Sequence, residues 1–451
     1  MKIQNGGCKM IFNMEMEALP REKMTELQLG RLKETVKRVY ERVPFHKEAM
    51  DAAGVKPEDI QSIEDIQKLP FMKKTHLREN YPFNLFAVDM KEVARIHGSS
   101  GTKGKPTVVG YTKKDLENWA EIVARALCCA GGEPGDIFHN AYGYGLFTGG
   151  LGLHNGIEHM GAVAVPVSGG NTSRQITLIE DFKPRGLAAT PSYVLNIVEE
   201  MKKMGINPRE TSVKYGIFGA EPWSEEMRVQ LEEALDIKAV DIYGLSEVMG
   251  PGVSIECHEV QDGLHIAEDH FFAEIIDPNT GEVLPYGQEG ELVFTSLTKE
   301  AFPVVRYRTG DIASLNPEPC KCGRTTMRMS RIKGRVDDML IIRGVNVFPT
   351  EIESVLLTFE QLAPQYQVVI ERDGALDRFE VHCELNQEYA SEIAGNENAA
   401  LAPLVKEIGH MIKNTLGVSV VLRILPPNSL IRSESKAIRV VDNRNKTQAA
   451  I

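Results

Sequence analysis

Apolar residues near the start of the chain recur at helical spacing. Leu29, Leu32, Val36, Val39, Tyr40 and Val43 fall on one face and Pro44 ends the run, which predicts an amphipathic helix packed on the protein body with no chemistry of its own. A second apolar stripe at 115–129 predicts another helix. From residue 137 the texture changes. Short apolar runs at 137–141, 162–167, 186–190, 213–219 and 239–243 alternate with helical segments such as 191–204 and 223–235. Strand, helix, strand in that rhythm predicts a mostly parallel sheet with helices on its faces, an α/β fold.

In such sheets ligands sit beyond the carboxyl ends of the strands. The residues that follow these strands are Tyr142-Gly143-Tyr144-Gly145-Leu146-Phe147, Thr190-Pro191, Gly219-Ala220-Glu221-Pro222 and Tyr243-Gly244-Leu245-Ser246-Glu247. Between 254 and 313 the chain breaks into short β segments with turn signals at Asp262-Gly263, Asn279-Thr280-Gly281 and 287–290, which predicts a small antiparallel barrel or sheet. After Gly334-Arg335-Val336-Asp337-Asp338 the pattern predicts strand 339–342, helix 349–359, strands 366–371 and 379–385, helix 401–416 and strand 418–424, a compact α+β unit. The domain boundary therefore falls near Asp337, giving an N-terminal domain of residues 1–336 and a C-terminal domain of residues 337–451. No internal repeat or low-complexity segment interrupts either.

At 451 residues, 42% hydrophobic and 25% charged, the chain is long enough for two or three domains with a sizeable core. A net charge of −12 excludes nucleic acid and anionic membrane as general partners, so any anionic ligand must meet local basic groups. No apolar run reaches membrane-spanning length, and Met1 to Met16 lacks the apolar core of a signal peptide. With seven cysteines, an odd number, the composition suits a reducing, cytoplasmic compartment better than a disulfide framework.

The stretch Ser99-Ser100-Gly101-Thr102-Lys103-Gly104-Lys105-Pro106 supplies hydroxyls, glycines and lysines that can turn toward a phosphate chain. It is not a Walker A loop, because five residues separate Gly98 from Gly104 where the motif has four, and Pro106 occupies the hydroxyl position. Read alone, it is equally compatible with a polar hairpin. Cys320-Lys321-Cys322-Gly323 reads as a thiol pair on a tight turn. With Cys257 and His265, beyond the Asp262-Gly263 turn, it would make a four-coordinate structural Zn²⁺ site; buried free thiols are the alternative. Tyr142, Tyr144 and Phe147, interleaved with Gly143 and Gly145, can line a flat slot for an aromatic ring.

Taken together, the loop at 99–106, Tyr243 to Glu247, Tyr307-Arg308-Thr309-Gly310-Asp311, Gly334 to Asp338 and a late Lys436 resemble, in order and spacing, the adenylate-forming superfamily of acyl-CoA synthetases, luciferases and peptide-synthetase adenylation domains. Within it, the segments 142–150, 264–270 and 340–349 resemble the phenylacetate-CoA ligase family. The match runs from about residue 12 to residue 444. It implies a large ATP- and acid-binding domain followed by a mobile C-terminal domain, with Asp337 at the hinge. It implies adenylation of an aryl acid by ATP, then transfer to coenzyme A, in a homodimer. Nucleotide contacts are implied for Ser99, Ser100, Gly101, Thr102, Lys103, Gly104 and Lys105, for Gly219, Ala220, Glu221 and Pro222, and for Asp241, Tyr243, Gly244, Ser246, Asp311 and Arg335. Lys436 and Glu247 are the implied catalytic residues, Glu247 as the carboxylate for Mg²⁺. Tyr142, Tyr144, Gly145 and Phe147 become the substrate pocket.

Three positions depart from the family pattern: Ser435 stands where Gly usually precedes the late lysine, and Gly98 and Lys103 stand where Ala and Thr are more frequent. They leave room for a relative with a different acceptor, of the coenzyme F390 synthetase kind, or for a nucleotide-binding protein without turnover.

Overall fold

Five strands align in parallel, in the spatial order Val163–Val165, Ile137–Asn140, Gly186–Ala189, Tyr215–Gly219 and Lys238–Leu245. Gly186–Ala189 and Tyr215–Gly219 are buried along their whole length, which is why they read as continuous apolar runs rather than alternating ones. The structure, a computed structural model, describes residues 11–99, 107–336, 339–342, 345–373, 376–433 and 437–444. All five predicted strands are present.

The predicted antiparallel unit divides in two. Gly250–Glu256 and Leu264–Ile266, with Arg328–Met329 and Leu315–Asn316, continue the main sheet in antiparallel sense to nine strands. Phe271–Ile276, Gly290–Ser296, Tyr307–Ala313 and Gly334–Arg335 make a separate four-stranded antiparallel sheet. The reason for the division is burial: Ser254 and Glu256 are fully buried, and their strand must pair with Lys238–Leu245 to satisfy its backbone.

Helices Lys113–Cys129 and Thr148–Met160 pack on each other at close range. The first starts on a reciprocal cap, in which Thr112 Oγ1 accepts from Asp115 N at 3.0 Å and Asp115 Oδ2 accepts from Thr112 N at 2.9 Å. The second contributes glycines at the contact: a Cβ on Gly152 would lie 2.3 Å from Trp119 Cζ2, and one on Gly156 would lie 2.2 Å from Val123 Cγ1.

The N-terminal helix spans Arg21–Arg42, with Leu32, Val36 and Val39 fully buried. Pro44 does more than stop it, because this proline opens the next helix, Pro44–Ala52, at a position where its missing N–H costs nothing. Gln28 Nε2 donates to Glu268 O at 2.9 Å and Thr35 Oγ1 to Leu297 O at 3.1 Å, fastening this helix to connecting segments far along the chain.

The last hundred residues form a unit with its own core, including Ile342, Ile352, Val368, Val381 and Ile408. Its sheet runs Val421–Leu425, Leu376–Leu385, Leu362–Asp373, Val440–Asp442, covered by helices Pro349–Leu356 and Glu397–Leu416. The short elements Val345–Val347, Gln387–Glu392 and Val440–Asp442 carry too few residues to show a period and were not predicted. Among the described residues no helix is long and apolar enough to cross a membrane.

The helix contact yields a stability prediction. Gly152→Ala forces a methyl into the Trp119 ring and is expected to cost about 1–3 kcal/mol, as overpacking does; chemical denaturation of the two proteins measures it.

Candidate active site at the strand ends

The strand Lys238–Leu245 ends in the segment that carries most of the site. Tyr243 Oη donates to Asp311 Oδ2 at 2.6 Å, and burial, with the Asp311 charge beside it, pushes the phenol well above its ordinary range. Asp311 is also 3.5 Å from Arg335 Nε, while Arg335 Nη2 donates to Thr309 O at 3.1 Å. These residues come from two sheets: Asp311 and Arg335 face each other across an antiparallel ladder of the small sheet, and Tyr243 reaches them from the large one. Three residues on, Ser246 Oγ lies 3.0 Å from Thr148 Oγ1. Glu247, buried, accepts from Ser99 Oγ at 3.4 Å.

Ser99 ends the strand Arg95–Ser99, the entry to the predicted phosphate loop. His97 on the same strand was not singled out in the sequence. Its Nδ1 lies 3.0 Å from Leu146 O, which also accepts from Gly98 N at 2.9 Å, so this strand is tied to the aromatic segment. A buried lysine stands nearby: Lys299 Nζ sits 4.4 Å from the centroid of the Tyr111 ring, and burial pulls the amine down to about 7 against the opposing charges of Asp115 and Glu247.

Gly219 closes the strand Tyr215–Gly219, and only glycine fits there: a Cβ would stand 2.1 Å from Ile242 O. Ala220 follows in the left-handed region, at φ 69°. This turn brings the Glu221 carboxylate over the first turn of helix Pro191–Lys203, where Oε1 accepts from Ser192 N at 2.9 Å; Oε2 accepts from Ala437 N at 3.0 Å. Asp241 is held from behind. Its N–H donates to Glu256 Oε2 at 3.2 Å and its carboxylate lies 3.4 Å from Arg331 Nε, whose guanidinium covers the Trp223 ring at 4.3 Å. Arg331 and Trp223 are contacts that no local pattern marks.

The aromatic segment separates into two environments. Tyr142 is buried in the main core, whereas Gly145, at φ 139°, and Phe147 are exposed. Tyr144 lies between, its hydroxyl accepting from Asn140 Nδ2 at 2.8 Å, and burial raises it to about 12. Ser100, Gly101, Thr102, Lys103, Gly104 and Lys105, the hinge Asp337, and Lys436 with its neighbour Ser435 lie outside the described residues.

The C-terminal unit packs against this region. Glu353 Oε1 accepts from Ser224 N at 3.0 Å, Arg439 lies 3.4 Å from Glu353 Oε2 and covers the Tyr366 ring at 4.3 Å, and Asn196 Nδ2 donates to Ser433 O at 2.9 Å.

Cys257, His265, Cys320 and Cys322 are all buried, with their donor atoms within 4.8 Å of one another. Cys257 Sγ and Cys320 Sγ are 3.8 Å apart, Cys322 Sγ is 3.5 Å from His265 Nε2, and His265 Nδ1 is 3.0 Å from Thr326 Oγ1. A hydrogen bond between Cys257 and Cys322 pulls the Cys322 thiol down and pushes that of Cys257 up. The sequence-predicted set is thus brought together, on strand and turn residues of the antiparallel half of the sheet.

Residues 3–298 match the model of the AMP-binding enzymes, and residues 344–444 match that of the AMP-binding enzyme C-terminal domain. The chain belongs to the AMP-binding enzyme family. Within that family it is 53% identical to a phenylacetate-coenzyme A ligase of Thermus thermophilus, over 96% of this chain and 100% of that enzyme. Among solved structures it superposes on 2-hydroxyisobutyryl-CoA ligase in the postadenylation state, in complex with 2-HIB-AMP, with a TM-score of 0.92 at 29% identity, covering 99% of this chain and 95% of that one. Against the same enzyme with 2-HIB-AMP and CoA in the thioesterification state the TM-score is 0.70 at 31% identity, covering 96% and 93%.

One buried pair supports the strand that carries Asp241 and Tyr243. Arg228 Nη1 and Nη2 meet Glu256 at 2.7 and 2.9 Å, and both side chains are buried. Glu256→Ala removes the buried partner and leaves the guanidinium with Glu225, 3.1 Å from its Nε, and is expected to cost about 3 kcal/mol; denaturant titration of the purified variant measures the loss.

Proposed function

We propose that this chain is an ATP-dependent, AMP-forming aryl-acid CoA ligase whose acid is phenylacetate. The observation that carries the reading is the linked set Ser99, Glu247, Ser246, Tyr243, Asp311 and Arg335 at the strand ends, in a chain 53% identical along its length to a phenylacetate-coenzyme A ligase.

A carboxylate is a poor acyl donor, because its charge repels nucleophiles and oxide leaves badly. In the first step a carboxylate oxygen attacks the α-phosphorus of ATP, a P–O bond forms, and pyrophosphate leaves. In the second the CoA sulfur attacks the acyl carbon, AMP leaves with the electron pair, and the thiol proton is lost. Cations at the α-phosphate lower the first barrier by meeting charge where it develops. We assign that task to Lys436, with the residues 99–105 around the phosphates. Glu247, buried and hydrogen-bonded to Ser99, would hold Mg²⁺. When bound, that ion would neutralise phosphate charge. Asp311, held by Tyr243 and Arg335, presents a fixed carboxylate that would accept the ribose hydroxyls. Gly219, Ala220, Pro222, Asp241, Gly244 and Tyr243 would frame the base. Tyr144, Gly145 and Phe147 would border the aryl group with Tyr142 behind them.

The better superposition on the postadenylation state than on the thioesterification state supports assigning this arrangement to the first half-reaction. We accordingly propose residues 1–336 as the ATP- and acid-binding domain and residues 337–451 as the domain that rotates, with Asp337 as hinge. A cytoplasmic location fits the six described cysteines, all free and buried. The homodimer is proposed from the resemblance alone.

For the sulfur cluster we propose structural Zn²⁺. A tetrahedron with Zn–S of about 2.3 Å and Zn–N of about 2.05 Å has S···S edges near 3.8 Å and S···N edges near 3.6 Å. The Cys257–Cys320 and Cys322–His265 separations are 3.8 and 3.5 Å. His265 Nδ1 meets Thr326, which leaves Nε2 as the ligand atom. Four protein donors leave no open position, so the ion would tie the Cys320–Gly323 turn to Cys257 and His265 rather than take part in catalysis.

ATP–pyrophosphate exchange tests the first step: it should require an aryl acid, and Lys436→Ala should slow it at least about a hundredfold. Thioester appearing only when CoA is added would fix the acceptor; exchange with no acid at all would refute the ligase. For the metal, elemental analysis should find one zinc per chain, lost together with thermal stability in Cys322→Ser.

A further inference from the structure

Glu221 was read from the sequence as part of the nucleotide frame, but its carboxylate is engaged by two backbone donors on different units. One oxygen accepts from Ser192 N at 2.9 Å, at the start of helix Pro191–Lys203 in the large domain. The other accepts from Ala437 N at 3.0 Å, in the C-terminal unit. Ala437 directly follows Lys436. The group that holds the Ala437 N–H therefore anchors the chain at the residue after the lysine.

The approach of the two units has a second fastening close by. Glu353 of the small unit accepts from Ser224 N, three residues beyond Glu221, and pairs with Arg439, two residues beyond Ala437. Glu221 differs from Glu353 in its origin, since it belongs to the large domain and grips the chain at Ala437. The tight turn at Gly219 and Ala220 aims it there.

We propose that Glu221 is a positioning residue for the adenylation half-reaction: its carboxylate docks the backbone beside Lys436, and releasing the Ala437 N–H is part of the passage to thioester formation. This rests on the ligase reading. A hydrogen bond to an ionised acceptor is strong enough to shift the docked population about ten- to a hundredfold.

The test uses the full-length protein with Glu221→Gln and Glu221→Ala. Glutamine has one acceptor oxygen and an amide that only donates, so it keeps one backbone bond and loses the other; it also serves as the folded variant should the alanine protein be unstable. Hydrogen exchange of the peptide covering 437–444 reads docking directly, whether or not the protein is a ligase. It should quicken fully in Glu221→Ala, which keeps neither bond, and partly in Glu221→Gln, whose one acceptor oxygen is shared between the two donors. Pyrophosphate exchange at saturating ATP and acid should fall about ten- to a hundredfold, while thioester formation from supplied acyl-adenylate and CoA stays at the wild-type rate or rises.

Unchanged protection of 437–444 overturns the proposal. So does an equal loss in both half-reactions, or a defect confined to a raised KM for ATP, which would return Glu221 to the nucleotide frame. A wild-type protein that performs no acid-dependent exchange refutes the ligase reading instead, and the hydrogen-exchange result then decides the docking role of Glu221 alone.

Discussion

The strand Lys238–Leu245 is bound in parallel by Tyr215–Gly219 on one edge and antiparallel by Gly250–Glu256 on the other. Ile242 is the residue where both ladders meet, paired with Gly219 and with Ile255. Beyond it the parallel partner turns away, and the antiparallel partner shifts register between Tyr243 and Gly244. The backbone released at this point is what forms the site. It has room only because Gly219 lacks a side chain beside Ile242 O, and it keeps its place because Glu256, behind it, is fixed by Arg228.

The rest of the site attaches to that junction by hydrogen bonds and an ion pair, as well as by packing of the Tyr243 ring over Phe294 of the small sheet. Tyr243 recruits Asp311 and Arg335 from the small sheet, Glu247 recruits the end of the strand Arg95–Ser99, and Ser246 recruits the helix Thr148–Met160. Four segments distant in sequence thus depend on five consecutive residues. Geometry of this kind is stiff where it is buried, and each link has a definite donor and acceptor.

Much of this was legible in the chain. Continuous apolar runs revealed the buried parallel strands, because both their faces are covered, and the glycine and hydroxyl residues followed the carboxyl ends of those strands, beyond which sheets of this kind take their ligands. The antiparallel half was read less well. Short strands such as Leu264–Ile266 have no period long enough to tell which sheet they join, and only the need to pair Ser254 and Glu256 decides it. Pro44 was read as a stop although it is also a start, since proline at a first helical position and proline after a last one look alike in sequence. The sulfur and imidazole donors were found by chemistry, because those residue types are scarce. Glu221 and Ala437, or Arg331 over Trp223, leave no such trace: nothing local records that two segments more than a hundred residues apart will touch.

The fastening of the N-terminal helices also bears on how the chain is made. Arg324 Nε donates to Glu17 Oε1 at 2.7 Å across 307 residues, and Arg21 and Gln28 reach Glu268 in the same way. During synthesis the first helices emerge long before the surface that receives them. At ordinary elongation rates that delay is about 15–60 s, during which Leu32, Val36 and Val39, fully covered in the finished fold, have no native partner in the antiparallel half. Most of their cluster, from Met50 to Leu69, is made soon after them, but Leu297 and Val305 complete it only once the antiparallel half has emerged, so these helices reach full burial late in synthesis.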